Sequence, residues 1–116
     1  MLPHLKGRLD GLAIRVPVPD GSVVDLVVEF KREATAEEIN RAVEEAAGGA
    51  LKTVLEYCDE PIVSSDIIGN SHSSIFDALS TRRIGPRQAR VLSWYDNEWG
   101  YSHRVVDLAL RLAEMT

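Results

Sequence analysis

Ser93-Trp94-Tyr95-Asp96-Asn97-Glu98-Trp99-Gly100-Tyr101-Ser102 joins two different hydrophobic rhythms. On its N-terminal side, Val91-Leu92-Ser93-Trp94-Tyr95 is dense in β-branched, aromatic and aliphatic residues, the composition of a strand. On its C-terminal side, Val105, Leu108, Ala109 and Leu112 recur at steps of three and four, the period of a helix face. A strand therefore passes straight into the last helix. Asp96, Asn97 and Glu98 can accept hydrogen bonds from the unpaired N–H groups of a first helical turn, and they sit well in its positive field. Capping accounts for the acids and the amide, but not for two tryptophans, two tyrosines and a glycine in the same ten residues. Gly100 costs a helix about 1 kcal/mol relative to alanine, so its place in the first turn implies that something approaches the backbone closely. A helix from Glu98 to Met115 would be roughly 27 Å long and needs a broad surface to lie on.

Working back from the junction, Ala89 to Tyr95 reads as the entering strand, and Arg82, Arg83, Arg87 and Arg90 surround a turn at Gly85-Pro86. Four arginines without interleaved aromatics on an acidic chain read as a solvated loop rather than a polyanion site. Further back, Pro61 to Ile68 is an apolar segment interrupted by Ser64-Ser65-Asp66. Gly69-Asn70 reverses the chain, and His72 to Leu79 returns. A strand around Thr53 to Tyr57 precedes them. Before it, Thr35-Ala36-Glu37-Glu38 forms a capping box, Ile39, Ala42, Val43 and Ala46 make a narrow apolar stripe, and Gly48-Gly49 supplies the stop, so a helix spans Thr35 to Ala47. Its acidic outer face, with Glu37 one turn before Arg41, is a solvated surface.

The first unit reads as a hairpin. Leu12, Ile14, Val16 and Val18 alternate on one face, Pro19-Asp20-Gly21 turns, and Val24, Leu26, Val28 and Phe30 alternate on the return. Those eight apolar residues are expected to face a core. Arg15 points the other way, with Ala13 and Pro17, which by pattern alone is the position of a solvated outer-face arginine.

Composition narrows the function. A chain of 116 residues, 45% hydrophobic and 27% charged, is one ordinary globular domain with a modest core. A net charge of −5 argues against a general binder of nucleic acid or anionic membrane. The start, Met1-Leu2-Pro3-His4-Leu5-Lys6, has no apolar leader core, and no run approaches a membrane span. The single cysteine, Cys58, allows no internal disulfide. The expected location is therefore the cytoplasm. Cys58, Ser64, Ser65, Asp66, His72, Ser73 and Ser74 can be arranged on paper as nucleophile, base and orienter. Serine and aspartate beside strands and turns more often satisfy local backbone groups, and a lone histidine beside serines is more often structural. No metal site is expected, because His4, His72 and His103 lie far apart and no Cys/His spacing repeats.

Three stretches in order also carry a family resemblance. Trp94 to Ser102 resembles the signature near the C-terminus of glyceraldehyde-3-phosphate dehydrogenases. Arg15-Val16-Pro17-Val18-Pro19 with Ser22-Val23-Val24-Asp25-Leu26 resembles a second family motif, and Ser64-Ser65-Asp66 with His72-Ser73-Ser74-Ile75-Phe76-Asp77-Ala78 a third. The match runs through nearly all of the chain but covers only the last part of the family's. It implies that residues 1–116 are the C-terminal part of a dehydrogenase catalytic domain with the dinucleotide-binding domain absent. The implied fold is α+β: a largely antiparallel mixed β-sheet, a helix covering one face, and a C-terminal helix.

The resemblance also assigns residues. Arg15 matches an arginine that holds a phosphate group, and Asn97 and Tyr101 match cofactor contacts, the asparagine orienting the nicotinamide carboxamide. A small neighbour beside a guanidinium and a planar fork of donors suit phosphate oxygens. A full-length relative oxidises glyceraldehyde 3-phosphate in glycolysis, using NAD or NADP and inorganic phosphate, through a cysteine thioester. Here there is no G-x-G-x-x-G after a strand, no cysteine in the family's Cys-Thr-Thr-Asn setting, and no histidine matching the family's base. No catalytic residue is therefore assigned. Tight NAD or NADP binding is not expected of this chain alone, and neither is turnover. Three functional readings follow: a dehydrogenase C-terminal part, truncated or completed by another polypeptide; a non-enzymatic module pairing with full-length subunits; and a fragment of an erythrose-4-phosphate dehydrogenase. Tyr95 tilts against the third. Removal of the rest of the domain should also uncover apolar surface around Val105, Leu108 and Leu112, so self-association or a complementary dehydrogenase chain is expected.

Overall fold

The computed structural model describes residues 3–115. After a short 3-10 turn at Pro3–Leu5 come β1 (Ser22–Glu29), α1 (Ala36–Gly48), β2 (Leu55–Cys58), β3 (Ser74–Gly85), β4 (Gln88–Tyr95) and α2 (Trp99–Glu114). The strands form one sheet in the order β1-β4-β3-β2. The β1/β4 and β4/β3 pairs are antiparallel and β2/β3 is parallel. The architecture is thus the α+β arrangement expected, a mixed and largely antiparallel sheet with two helices.

The capping box stands as read. Thr35 Oγ1 accepts from the Glu38 N–H at 3.1 Å, and Glu38 Oε2 accepts from the Thr35 N–H at 2.8 Å. Two donors of the first turn are satisfied within four residues, which is why α1 was legible locally. The helix rests against β2 and β3. Asn40 anchors it, donating to the Ala78 carbonyl at 3.0 Å and accepting from the buried Thr81 hydroxyl at 2.7 Å. These bonds fall where β3 slips register between Asp77 and Arg82. At that irregularity Asp77 accepts from the Ser80 N–H, the Ser80 hydroxyl and Trp94 Nε1.

Three expectations need correction. Leu12 to Val18 is not a strand: it is an extended, exposed arm, and β1 takes β4 as its partner, Ser22 facing Tyr95 and Glu29 facing Gln88. Of the eight apolar residues expected to face a core, Leu12 is 82% exposed, and Ile14, Val16, Val18, Val24 and Leu26 are exposed too. Alternation reveals which residues share a face, but neither what covers that face nor which strand lies alongside. Pro61 to Ile68, the interrupted apolar segment, is coil and turn. Asp66 Oδ2 accepts from the Val63 N–H at 2.7 Å and folds the segment locally, which leaves only Ile67 fully buried.

The arginine-rich segment forms a hairpin rather than a loop, β3 and β4 being joined through Pro86-Arg87. Its charges are mostly spoken for. Arg90 grips Asp25 with two bonds of 2.7 and 2.6 Å, Arg87 pairs with Glu29 at 3.1 Å, and Arg83 with Glu33 at 3.6 Å. The hydrogen bond from Arg90 holds the Asp25 carboxyl below its ordinary range. Arg90–Asp25 joins β4 to β1, Arg87 reaches from the β3/β4 turn to the end of β1, and Arg83 of β3 reaches the segment after β1, so much of the basic run works as pairing across the sheet.

The buried core is small: Ile67, Ile75, Phe76, Ala78 and Ala89. Accessible surface is 9004 Å², against roughly 6,300 Å² for a folded monomer of this length. The radius of gyration is 15.6 Å, where about 13 Å is usual. The projecting arm and α2 account for much of the excess. α2 is fastened by its first two turns, where Arg104 donates to the Thr53 carbonyl at 2.8 Å and to the Ser73 hydroxyl at 3.3 Å. Beyond them Leu108 and Leu112 stay more than half exposed.

Candidate functional site

The β1/β4 pairing begins at Ser22 and Tyr95, which brings the end of the arm to the start of α2. Pro17 and Pro19 hold the arm extended by fixing their own φ and biasing the residues before them. A tight turn from the Val18 N–H to the Val16 carbonyl, 2.9 Å, bends it. At Gly21 φ is +92°, and an added Cβ would lie 3.0 Å from the Ser64 carbonyl oxygen and 3.3 Å from Ile67 Cδ1. Only glycine fits that corner.

On the other side stands the junction. Asp96 is 3% exposed and does all of the capping. Its Oδ1 accepts from the N–H groups of Glu98 at 2.9 Å and Trp99 at 2.8 Å, and its Oδ2 accepts from the Gly69 N–H at 2.8 Å. The Trp99 N–H, with Gly69, Glu98 and Asp20 in support, holds the Asp96 carboxyl below its ordinary value against the opposing effect of burial. Glu98 makes no side-chain cap. The close approach required at Gly100 is made by the chain itself: a Cβ there would meet the His72 carbonyl oxygen at 2.9 Å. α2 thus docks its first turn onto the His72-Ser73 backbone.

Between the arm and the junction lies a polar cleft of about 320 Å³, whose walls include Ile14, Arg15, Asp20, Ser22, Tyr95 and Asn97. Arg15 is exposed and makes no hydrogen bond or ion pair with the described residues. Asn97, also exposed, caps nothing. Its Oδ1 accepts instead from the Gly21 N–H at 3.1 Å and the Ser22 hydroxyl at 3.3 Å. Two residues singled out in the sequence therefore share one cleft, presenting a guanidinium and an amide. Tyr101 lies outside its lining, 72% exposed on the first turn of α2. Asp20, Gly21 and Ser22 were not singled out. Their signal was the Pro-Asp-Gly turn running directly into a strand, read only as a hairpin connection.

The polar residues that could be arranged as a triad are engaged locally. His72 Nδ1 lies 2.9 Å from both Glu56 Oε2 and Asn70 Oδ1. The Ser74 and Ser93 hydroxyls bond each other, and Cys58 Sγ donates to the Glu60 carbonyl at 3.6 Å. Among the described residues no three His, Cys, Asp or Glu side chains group as a metal site, and no helix is long and apolar enough to cross a membrane.

Residues 1–97 match the family described as glyceraldehyde 3-phosphate dehydrogenase, C-terminal domain. The chain is 59% identical to a glyceraldehyde-3-phosphate dehydrogenase of Mycobacterium avium over 108 residues, 93% of this chain and 32% of that protein. It is 56% identical to glyceraldehyde-3-phosphate dehydrogenase 2 of Bacillus subtilis over 113 residues, 97% of this chain and 33% of the relative. With the Geobacillus stearothermophilus glyceraldehyde-3-phosphate dehydrogenase the identity is 57% over 113 residues, covering 97% and 34%. The chain spans about a third of the length of the curated relatives it matches.

Proposed function

This chain belongs to the glyceraldehyde 3-phosphate dehydrogenase C-terminal-domain family, and from that premise we propose that the cleft between Arg15 and Asn97 is one side of a phosphorylating aldehyde dehydrogenase site. Arg15 holds a phosphate group, of the phosphorylated aldehyde or of inorganic phosphate, through its fork of N–H donors. Asn97 holds the carboxamide of a nicotinamide, since an amide side chain has both the donor and the acceptor that group demands. Tyr101 adds a neighbouring contact. NAD or NADP, when bound, supplies the hydride acceptor. The 116 residues contain no G-x-G-x-x-G, so only the carboxamide end of the cofactor is assigned to them.

What supports this reading is the convergence of Arg15 and Asn97, far apart in sequence, on one polar cleft. The thiol, the base and the nucleotide pocket are assigned to residues other than these 116, in a cytoplasmic enzyme whose parts associate. The purified chain given glyceraldehyde 3-phosphate, NAD and phosphate should form no NADH. With a complementary dehydrogenase chain bearing the missing groups, it should. In that complex Arg15→Ala should weaken phosphate use by roughly 10- to 150-fold, the loss of a charge-assisted bond of about 1.5–3 kcal/mol. Arg15→Lys should fall between, keeping the charge and losing the fork. Phosphate-dependent NADH from the chain alone, abolished by Cys58→Ser, would overturn its inactivity. Alanine and lysine variants indistinguishable from wild type would return Arg15 to a merely solvated residue. A second reading, a non-enzymatic module pairing with full-length dehydrogenase subunits, draws on an accessible surface of 9004 Å², well above the roughly 6,300 Å² usual for a folded monomer of this length. It predicts association with such subunits and no gain of activity.

A further inference from the structure

Asn97 is exposed and lies between β4 and α2, where helix packing does not hold it. Its amide is restrained by two donors from the start of β1, the Gly21 N–H at 3.1 Å and the Ser22 hydroxyl at 3.3 Å. The two donors differ. The Gly21 N–H can only donate, so it selects the flip that turns Oδ1 toward β1. The opposite flip would set the Asn97 NH₂ against another N–H. That N–H is shared, however, and its shorter bond of 2.7 Å goes to Asp20 Oδ1. The Ser22 hydroxyl has Asn97 as its one hydrogen-bond partner among the described residues. Ser22 is also the first residue of β1 and pairs with Tyr95 of β4, so its hydroxyl is carried by the sheet rather than by the arm.

We propose that Ser22 is a positioning residue for Asn97: in the flip that Gly21 selects, its hydroxyl adds a second bond to Oδ1 and so restrains where the amide presents its donor and acceptor in the cleft. The inference rests on the reading of Asn97 as the nicotinamide contact. The final torsion of asparagine is soft, so an exposed amide held by one shared N–H would swing widely about that single bond. A primary carboxamide, which needs a donor and an acceptor together, would meet a misplaced partner over part of that range. Holding the amide in advance removes that loss from binding.

The test uses the full chain labelled with nitrogen-15, with the Asn97 side-chain NH₂ resonances identified by their disappearance in Asn97→Ala. Ser22→Ala should drop the order parameter of this NH₂ group from a rigid value to below about 0.6, while the backbone amides of β1 and β4 and the unfolding midpoint stay as in wild type. Ser22→Thr, which restores the hydroxyl in a residue suited to a strand, should recover the wild-type value. Nicotinamide mononucleotide titrated into the wild type should shift the same resonances, with binding roughly two- to tenfold weaker in Ser22→Ala. An Asn97 amide as ordered in Ser22→Ala as in wild type overturns the positioning role. If the amide loosens as expected but the nucleotide leaves it unmoved in the wild type, the positioning role is supported and the cofactor reading of Asn97 fails.

Discussion

Removing the Asp96 carboxylate should do more damage than removing any other side chain at the junction. Asp96→Ala takes away the acceptor for two N–H groups of the first turn of α2 and for the Gly69 N–H of the preceding reversal. Loss of the cap alone costs about 1 kcal/mol. Stranding the Gly69 donor, which is bonded to a charged acceptor, adds about 1.5–3 kcal/mol. The sum, about 2.5–4 kcal/mol, is a large part of the roughly 6–17 kcal/mol expected for a domain of this length. Asp96→Asn should lie between wild type and alanine. Its one carbonyl oxygen can serve the cap or Gly69, while its NH₂ faces the other donor.

The effect of pH has a definite sign. Because the folded carboxyl is held below its ordinary value of 3.8, the unfolded state binds more protons between the two values, and stability rises with pH there. The contribution is fully present above about 3.8 and is lost as pH falls through the lower folded value. Urea unfolding at fixed protein concentration, followed by Trp94 and Trp99 fluorescence and by circular dichroism, reads this directly. The gap between wild type and Asp96→Asn should be widest near neutral pH and should narrow below pH 4. An alanine variant within about 0.5 kcal/mol of wild type, the range of an ordinary surface substitution, would refute the reasoning. So would a gap to asparagine that ignores pH.

Gly100→Ala should destabilise by about 1–3 kcal/mol in the same unfolding assay, reversing the gain of about 1 kcal/mol that alanine ordinarily brings to a helix. The reason is that its Cβ would sit 2.9 Å from the His72 carbonyl oxygen, and a backbone atom cannot swing aside; a gain in stability would show that α2 is not docked there. Sedimentation should find the chain self-associating, with Leu108→Glu shifting it toward monomer, since Val105, Leu108 and Leu112 are 48%, 59% and 56% exposed. A compact monomer at high micromolar concentration that binds no hydrophobic dye would contradict this.

Features whose physics closes within a few residues were readable from the sequence. The Thr35 and Glu38 capping box satisfies its own donors, the reversal at Gly69 takes a φ of +81°, and the change of period at Tyr95-Asp96 marks where β4 yields to α2. Arg15 and Asn97 were singled out by resemblance rather than by local pattern, and nothing in their spacing indicated a shared cleft. Interactions across long separations were decided by tertiary structure. Period-two alternation in Leu12 to Val18 and in β1 is equally compatible with pairing to each other or to β4. Only the assembled sheet selects β4, leaving the arm free to carry Arg15. Three adjacent polar residues were equal candidates for the helix cap. Gly69 supplies the third donor that favours Asp96, and the Gly21-Ser22 corner claims Asn97. Gly100 announced a close approach, but its partner, the His72 carbonyl, was set by how α2 lies on the sheet. A sequence records what each residue can donate, accept or bury. Which group arrives to meet it depends on strand order and helix docking, which no local window contains.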